Sequence, residues 1–376
     1  MCYAKFPLFL EVDMNDRKQR RQERSVVGDL LLTGAEQRPS RFLPAPEWQS
    51  TQKALALRLD ADSGKMLDKF EYVTPPSACP QEAPGIGFKA ATVYGNKLYA
   101  CTSTEVLIYE LPDFRQVGYI SLPCFNDLHH VLPTPTGTLI VVVTGLDLVV
   151  EVGLDGKVLR EWSVVGEDTW ARFSRDIDYR KVPTTKPHRS HPNFAFMLDD
   201  SIWATRCQLK DAICLTKPGL RIDVEVSYPH DGLIFNGTIY FTTVDGHLVM
   251  VNPRTLKVER VVDLNAIDNP EGNVLGWCRG LLPLTENLVW IGFTQLRRTK
   301  LVENLSWLKG ANPHSKPTRI ALYDIRTKRC LREIPLGLFG MDVIFSILTA
   351  PAVAEKDLLT TCSPPQQTRE SINSSP

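Results

Sequence analysis

Residues 125–164, FNDLHHVLPTPTGTLIVVVTGLDLVVEVGLDGKVLREWSV, hold four short runs of apolar and β-branched residues parted by turn signals. The pair HVLPTPTGTLIVVVT opens at His130 and turns at Pro-Thr-Gly. The hairpin DLVVEVGLDGKVLREWSV opens at Asp147 and turns at Asp-Gly. Strand, turn, strand, connection, strand, turn, strand is the grammar of one four-stranded propeller blade.

Working outward, the same hairpin recurs from Ala54, Glu105, Asp211, His247 and Arg319, so it occurs six times in all. A preceding strand pair starts at Lys89, His130, Asn193, His230 and Arg279, which completes five blades. The hairpin from Ala54 lacks such a pair, whereas Met341–Ala350 is an apolar strand without a partner nearby in sequence. Joining the two ends makes a sixth blade and removes the open sheet edge. The reading is an all-β chain forming a single six-bladed β-propeller, its termini sharing the closing blade. Alternating strands alone also fit a two-sheet sandwich or a pair of smaller β-domains. The expected organisation is an N-terminal arm and candidate part of the closing blade over 1–50, the propeller over 51–350 and a frayed tail over 351–376. Glu303–Lys309 is the one short stretch with helical character.

Composition narrows the function classes. The 376 residues carry 43 basic and 43 acidic side chains. That balance excludes a chain whose main task is coating nucleic acid or an anionic membrane, because both need a net basic field. Nine cysteines without a CxxC pair suit reduced thiols better than a disulfide framework or a zinc module. Phe6–Leu10 is too short for a signal-peptide core, the basic stretch Arg17–Arg24 follows it, and no run approaches the roughly 20 apolar residues of a membrane span. The expected location is the cytoplasm.

The blade register points to a site. Counting back nine residues from Leu98, Leu139, Ile202, Ile239 and Leu288, which open the second strands, gives Lys89, His130, Asn193, His230 and Arg279. First strands line a propeller's channel, so these residues are expected to point inward as a polar ring at one mouth. Asp127, His129, His188, His191 and Asp231 lie close to the same level. Two long insertions, 165–187 with Trp170, Phe173 and Tyr179, and 295–317 with Arg297, Arg298, Lys300 and Trp307, are expected to flank that mouth as lids or walls.

Two chemistries fit the ring. In one, His130, Asn193 and His230 hold a divalent metal, with His191 or Asp231 as a further ligand. In the other, Lys89 and Arg279 clamp a small anion while His130 or His230 transfers protons. A third reading leaves the ring as a hydrated channel. His130, His230 and Arg279 are therefore the catalytic candidates, and Lys89, Asn193, Arg206, Asp231, Trp170 and Tyr179 the substrate-binding ones. No GxSxG, GxxxxGK or strand-borne GxGxxG is present. Cys278, beside Arg279, reads as a buried inert thiol.

Residues 125–164 resemble blades of arylsulfotransferase-type propellers, in which a histidine opens the strand before a PTGTLIV-like turn. Residues 228–300, with PHDG, VNPRT and CRGL, are similar to uncharacterised bacterial propeller proteins and more distantly to the strictosidine synthase, gluconolactonase and regucalcin superfamily. The first resemblance implies catalytic roles for His130 and Arg279. The chain departs from it in the signal peptide of a periplasmic sulfotransferase, and from the regucalcin pattern in the acidic axial ligand. The expectation is an enzyme acting on a small anionic molecule by acid/base or metal-assisted chemistry, as a lyase, hydrolase, cyclase or transferase in specialised metabolism. The alternative is a non-catalytic propeller whose top-face loops bind a protein partner.

Overall fold

In the stretch 125–164 the apolar runs become the antiparallel strands Leu128–Pro133, Leu139–Val143, Leu148–Val152 and Val158–Ser163, hydrogen-bonded in that order. LIVVV is buried along its whole length because a blade is covered on both faces by its neighbours. The outermost strand, VLREWS, faces solvent and carries the charges. The computed structural model describes residues 28–39, 49–296 and 312–351. Phe6–Leu10, Arg17–Arg24, Arg297, Arg298, Lys300, Glu303–Lys309 with Trp307, and the tail beyond 351 lie outside the described residues.

Six such four-stranded sheets make a six-bladed β-propeller. Numbered in chain order, blade 1 is the closing blade and the stretch above is blade 3. Blade 1 takes its innermost strand, Val343–Thr349, from the far end of the chain, and its other three from Leu30–Gln37, Thr51–Leu59 and Met66–Tyr72. Leu30 lies opposite both Thr349 and Leu59, so the two ends of the chain pair directly. Each pair of neighbouring blades encloses its own apolar cluster. Leu32, Leu57, Ile320 and Ile344 fill the seam between blades 6 and 1, and Ala56, Phe88, Leu107 and Tyr109 the seam between 1 and 2. Burying one such leucine or phenylalanine contributes about 1.5–3 kcal/mol, so closure is driven by the same packing that stacks the other blades.

Among the described residues α-helix is confined to the turn Thr169–Arg172, and no helix is long and apolar enough to cross a membrane.

The inner strands are irregular at one shared level. In blade 3 Leu128 pairs with Val143 and His130 with Val142, which leaves His129 as an extra residue in a β-bulge. Asn193 is extra in blade 4, one residue of the Arg279-Gly280 pair in blade 6, and Phe345 in blade 1. Glycine on the paired strand makes room for two of these bulges. A Cβ on Gly292 would stand 2.5 Å from the Arg279 carbonyl oxygen, and one on Gly34 would collide with the Val343 carbonyl. A bulge turns its extra side chain away from the regular alternation, and here it turns several toward the axis.

Candidate functional site

The bulges open into a pocket at one mouth of the axis. Lys89 enters from blade 2, His129 from blade 3, Arg279 with Trp277 from blade 6 and Phe345 from blade 1. The insertion ahead of blade 4 adds Val182–Thr184, Lys186 and, at its end, His191; Gln295 and Leu296 begin the second insertion on the same pocket. The described ends of the two insertions thus border one mouth.

Phe345 is the platform of the site. The Lys89 ammonium lies 5.0 Å and the Arg279 guanidinium 4.2 Å from its ring centroid, within the range of cation–π attraction. Lys89 stands 3.6 Å from Asp127, longer than a hydrogen bond. The His129 Nδ1–H donates to the Asp127 carbonyl oxygen at 2.8 Å, which fixes the tautomer and makes Nε2 the basic nitrogen. Its ring packs edge-on against His191, with centroids 4.9 Å apart, and lies 6.4 Å from Phe345.

Burial dominates the electrostatics of the histidines. It pushes His129 well below its ordinary value, with Lys89 and His191 assisting and Asp127 opposing, so the ring is neutral at neutral pH. Burial would raise the Asp127 carboxyl, but His129 in its protonated form, with Lys89 and Lys186, outweighs that and holds it far below the carboxylate range.

The structure separates the residues that the nine-residue count aligned. Lys89 and Arg279 line the pocket; His130, Asn193 and His230 do not. His130 is a tie between blades. It accepts the Ala195 N–H on Nδ1 at 3.2 Å, bonds Thr92 Oγ1 through Nε2 at 3.1 Å and stacks on Phe194 at 3.7 Å. Burial takes its pKa down to about 3. The count assumed unbroken alternation, and the bulge at His129 hands the axial position to the preceding residue. Asn193 spends its amide N–H on the Pro229 carbonyl of the next blade at 3.2 Å. His230 lies beneath the pocket, 6.3 Å from Phe345 and 3.3 Å from the buried carboxylate of Asp231, which also takes the Gly280 N–H at 3.1 Å. Burial lowers His230 despite Asp231.

The remaining candidates serve elsewhere. Arg206 forms a two-pronged ion pair with buried Asp211 and bonds the Val164 carbonyl at the blade rim. Trp170 and Tyr179 line a separate hollow on the outer wall of blade 3. Cys278 is fully buried, and burial raises its thiol well above the ordinary range.

Both ring nitrogens of His130 are engaged within the protein. Among the described residues no three His, Cys, Asp or Glu side chains converge as a metal site would require.

Closed six-bladed architecture with a polar mouth defines the class: a six-bladed β-propeller with a pocket at one mouth of its axis. No protein-family model matches this chain, and no curated relative matches it. Among solved structures it is similar to a protein of unknown function from Bacteroides caccae, at 14% identity and a TM-score of 0.54, over 85% of this chain and 97% of that one. At that identity the likeness establishes the fold alone.

Proposed function

We propose that this propeller is an enzyme that binds a small anionic molecule in the axial pocket and moves a proton on it, with His129 as general base. The observation that carries the reading is a neutral, oriented imidazole beside a phenylalanine platform on which two cations rest. Lys89 and Arg279 supply the charge that holds a carboxylate, sulfate or phosphate and stabilise negative charge that develops beside it. His129 Nε2 takes the proton from a C–H or from water. Burial of the ring away from bulk water strengthens each of these interactions over its value in water.

The test is proton exchange. The full chain is incubated in D2O with succinate, malate, lactate and phosphoglycolate, and α-deuterium incorporation is followed by proton NMR alongside thermal shift. At least one acid should raise the melting temperature and exchange its α-hydrogen. His129→Gln should slow that exchange about 100- to 10,000-fold with the melting temperature shift retained. Exchange at the wild-type rate in His129→Gln would sink the assignment.

A further inference from the structure

We propose that the anion held in the axial pocket is a hydroxy acid, and that Asp127 selects it by accepting a hydrogen bond from a hydroxyl on the carbon next to the acid group. The inference rests on the anion-binding reading above and adds the second functional group of the ligand.

Asp127 lines the pocket beside the two groups that the proposed chemistry uses. Its Oδ1 stands 3.6 Å from the Lys89 ammonium and 3.7 Å from His129 Nδ1, both beyond hydrogen-bond distance. The His129 Nδ1–H is already given to the carbonyl oxygen of Asp127 itself, at 2.8 Å. Among the described residues the carboxylate therefore takes no hydrogen bond. The charges around it keep it ionised, and an ionised carboxylate is an acceptor alone, with room for about four donors.

Other carboxylates of the fold show what such a group ordinarily collects. Asp147 takes the N–H groups of Arg189, Ser190 and His191 and the Arg172 guanidinium, each at 2.9 Å. Asp211 takes two hydrogen bonds from Arg206. Asp127 stands apart from both, and it is the one of the three that lines the pocket.

Its place is fixed from either side. Asp127 is held at a φ of 47°, in the left-handed region. The Asn126 side-chain amide donates to the Tyr179 and Val182 carbonyls at 2.8 Å each, and the Leu128 N–H donates to the Ser103 carbonyl at 3.0 Å. The acceptor is thus set in position before a ligand arrives.

An anion resting on Lys89 comes close to this carboxylate, because the two share that ammonium, and like charges repel. A hydroxyl on the carbon beside the acid group turns the contact into a charge-assisted hydrogen bond. An acid without that donor displaces solvent from Asp127 and returns nothing for it. An ammonium in the same place would meet Lys89 and Lys186, the cations that already face Asp127, so the donor that fits is a neutral one.

Titration calorimetry of the full chain with matched acids decides the matter: malate against succinate and lactate against propionate, with both enantiomers of each hydroxy acid. In at least one pair a hydroxy acid should bind wild type at least about tenfold more tightly than its unsubstituted partner. Asp127→Asn keeps the backbone carbonyl for His129, and asparagine accepts the left-handed φ. It should narrow that preference at least about threefold, whereas general damage to the fold would weaken both acids together and leave their ratio alone. Aspartic acid, the ammonium analogue of malate, should bind less tightly than malate; the reverse order would overturn the hydroxyl. Equal binding within both pairs, or a preference for the unsubstituted acid, overturns hydroxyl selection and leaves the anion-binding reading standing. An unchanged ratio in Asp127→Asn overturns the role of Asp127. If none of the acids binds wild type, the anion-binding reading fails and the selection with it, an outcome distinct from equal binding.

Discussion

The axial pocket and the hollow on the outer wall of blade 3 both set a cation over an aromatic ring and differ in what else that cation meets. In the outer hollow Arg175 lies 4.1 Å over Trp170 and makes two hydrogen bonds, at 3.0 and 2.7 Å, to Glu161, which also takes the Trp170 Nε1–H at 2.7 Å. Cation, carboxylate and ring satisfy one another. On the axis Lys89 lies over a ring, its nearest carboxylate among the described residues stands beyond hydrogen-bond distance, and a histidine beside it is kept neutral. An aromatic residue beside a charge is therefore a poor guide to a site; how completely the local partners use each other up is a better one.

The largest expected difference between the two regions is in pH. His129 and His130 are held far below the free-histidine value, so the unfolded chain binds their protons first as pH falls. Their contribution to stability is complete above about pH 6.5 and declines below it, toward about pH 3 for His130. Between pH 7 and pH 5 His130 should cost about 2 kcal/mol, measured by urea unfolding, with His129 adding to the slope in the same direction. His129→Gln should flatten this slope, and Arg175→Met should leave it unchanged.

Next in size is Gly292→Ala, which forces its Cβ against the Arg279 carbonyl. It should destabilise the fold by up to about 3 kcal/mol and weaken anion binding by moving Arg279, read as unfolding midpoint and titration calorimetry. Arg279→Met should reduce the affinity for the exchanging acid by about 2 kcal/mol, roughly thirtyfold, with the melting temperature of the free protein nearly unchanged. Equal loss in Arg175→Met would erase the contrast between the two regions. Smallest is Arg175→Met itself. Its pair is exposed on the arginine side, so unfolding should register less than about 1 kcal/mol.

The sequence makes the blades legible and the bulges nearly invisible. Hairpins such as DLVVEVGLDGKVLREWSV carry their turns and their alternation in plain view, and the partnerless strand around Met341–Ala350 tells where the ring closes. Lys89 and Arg279 were within reach because the count from the blade turns landed on them. His130 was reached by the same count although it faces a neighbouring blade, because a single extra residue reverses which side chain meets the axis. A signal existed: Gly34 interrupts LLLTGAEQ and Gly292 interrupts LVWIGFT, where an unbroken apolar run would be expected, and glycine inside a strand marks a bulge or a close backbone approach. Blade 3 has no such glycine in LIVVV. Phe345 carried no polar label, and Trp170 and Tyr179 were drawn to the mouth by their insertion. In the structure Asn126 binds the Tyr179 and Val182 carbonyls and holds that segment against the wall.

Phe345 belongs to the strand that completes the ring, and this orders events in time. During synthesis the segments bearing Lys89, His129 and Arg279 all leave the ribosome before Val343–Thr349 can dock on Leu30–Gln37, some three hundred residues upstream. Such distant pairing is slow. Until it happens the cations have no shared surface to rest on, so under the proposed function the site is complete only when the last seam of the ring closes. Activity in this protein would then double as a report that the chain has closed.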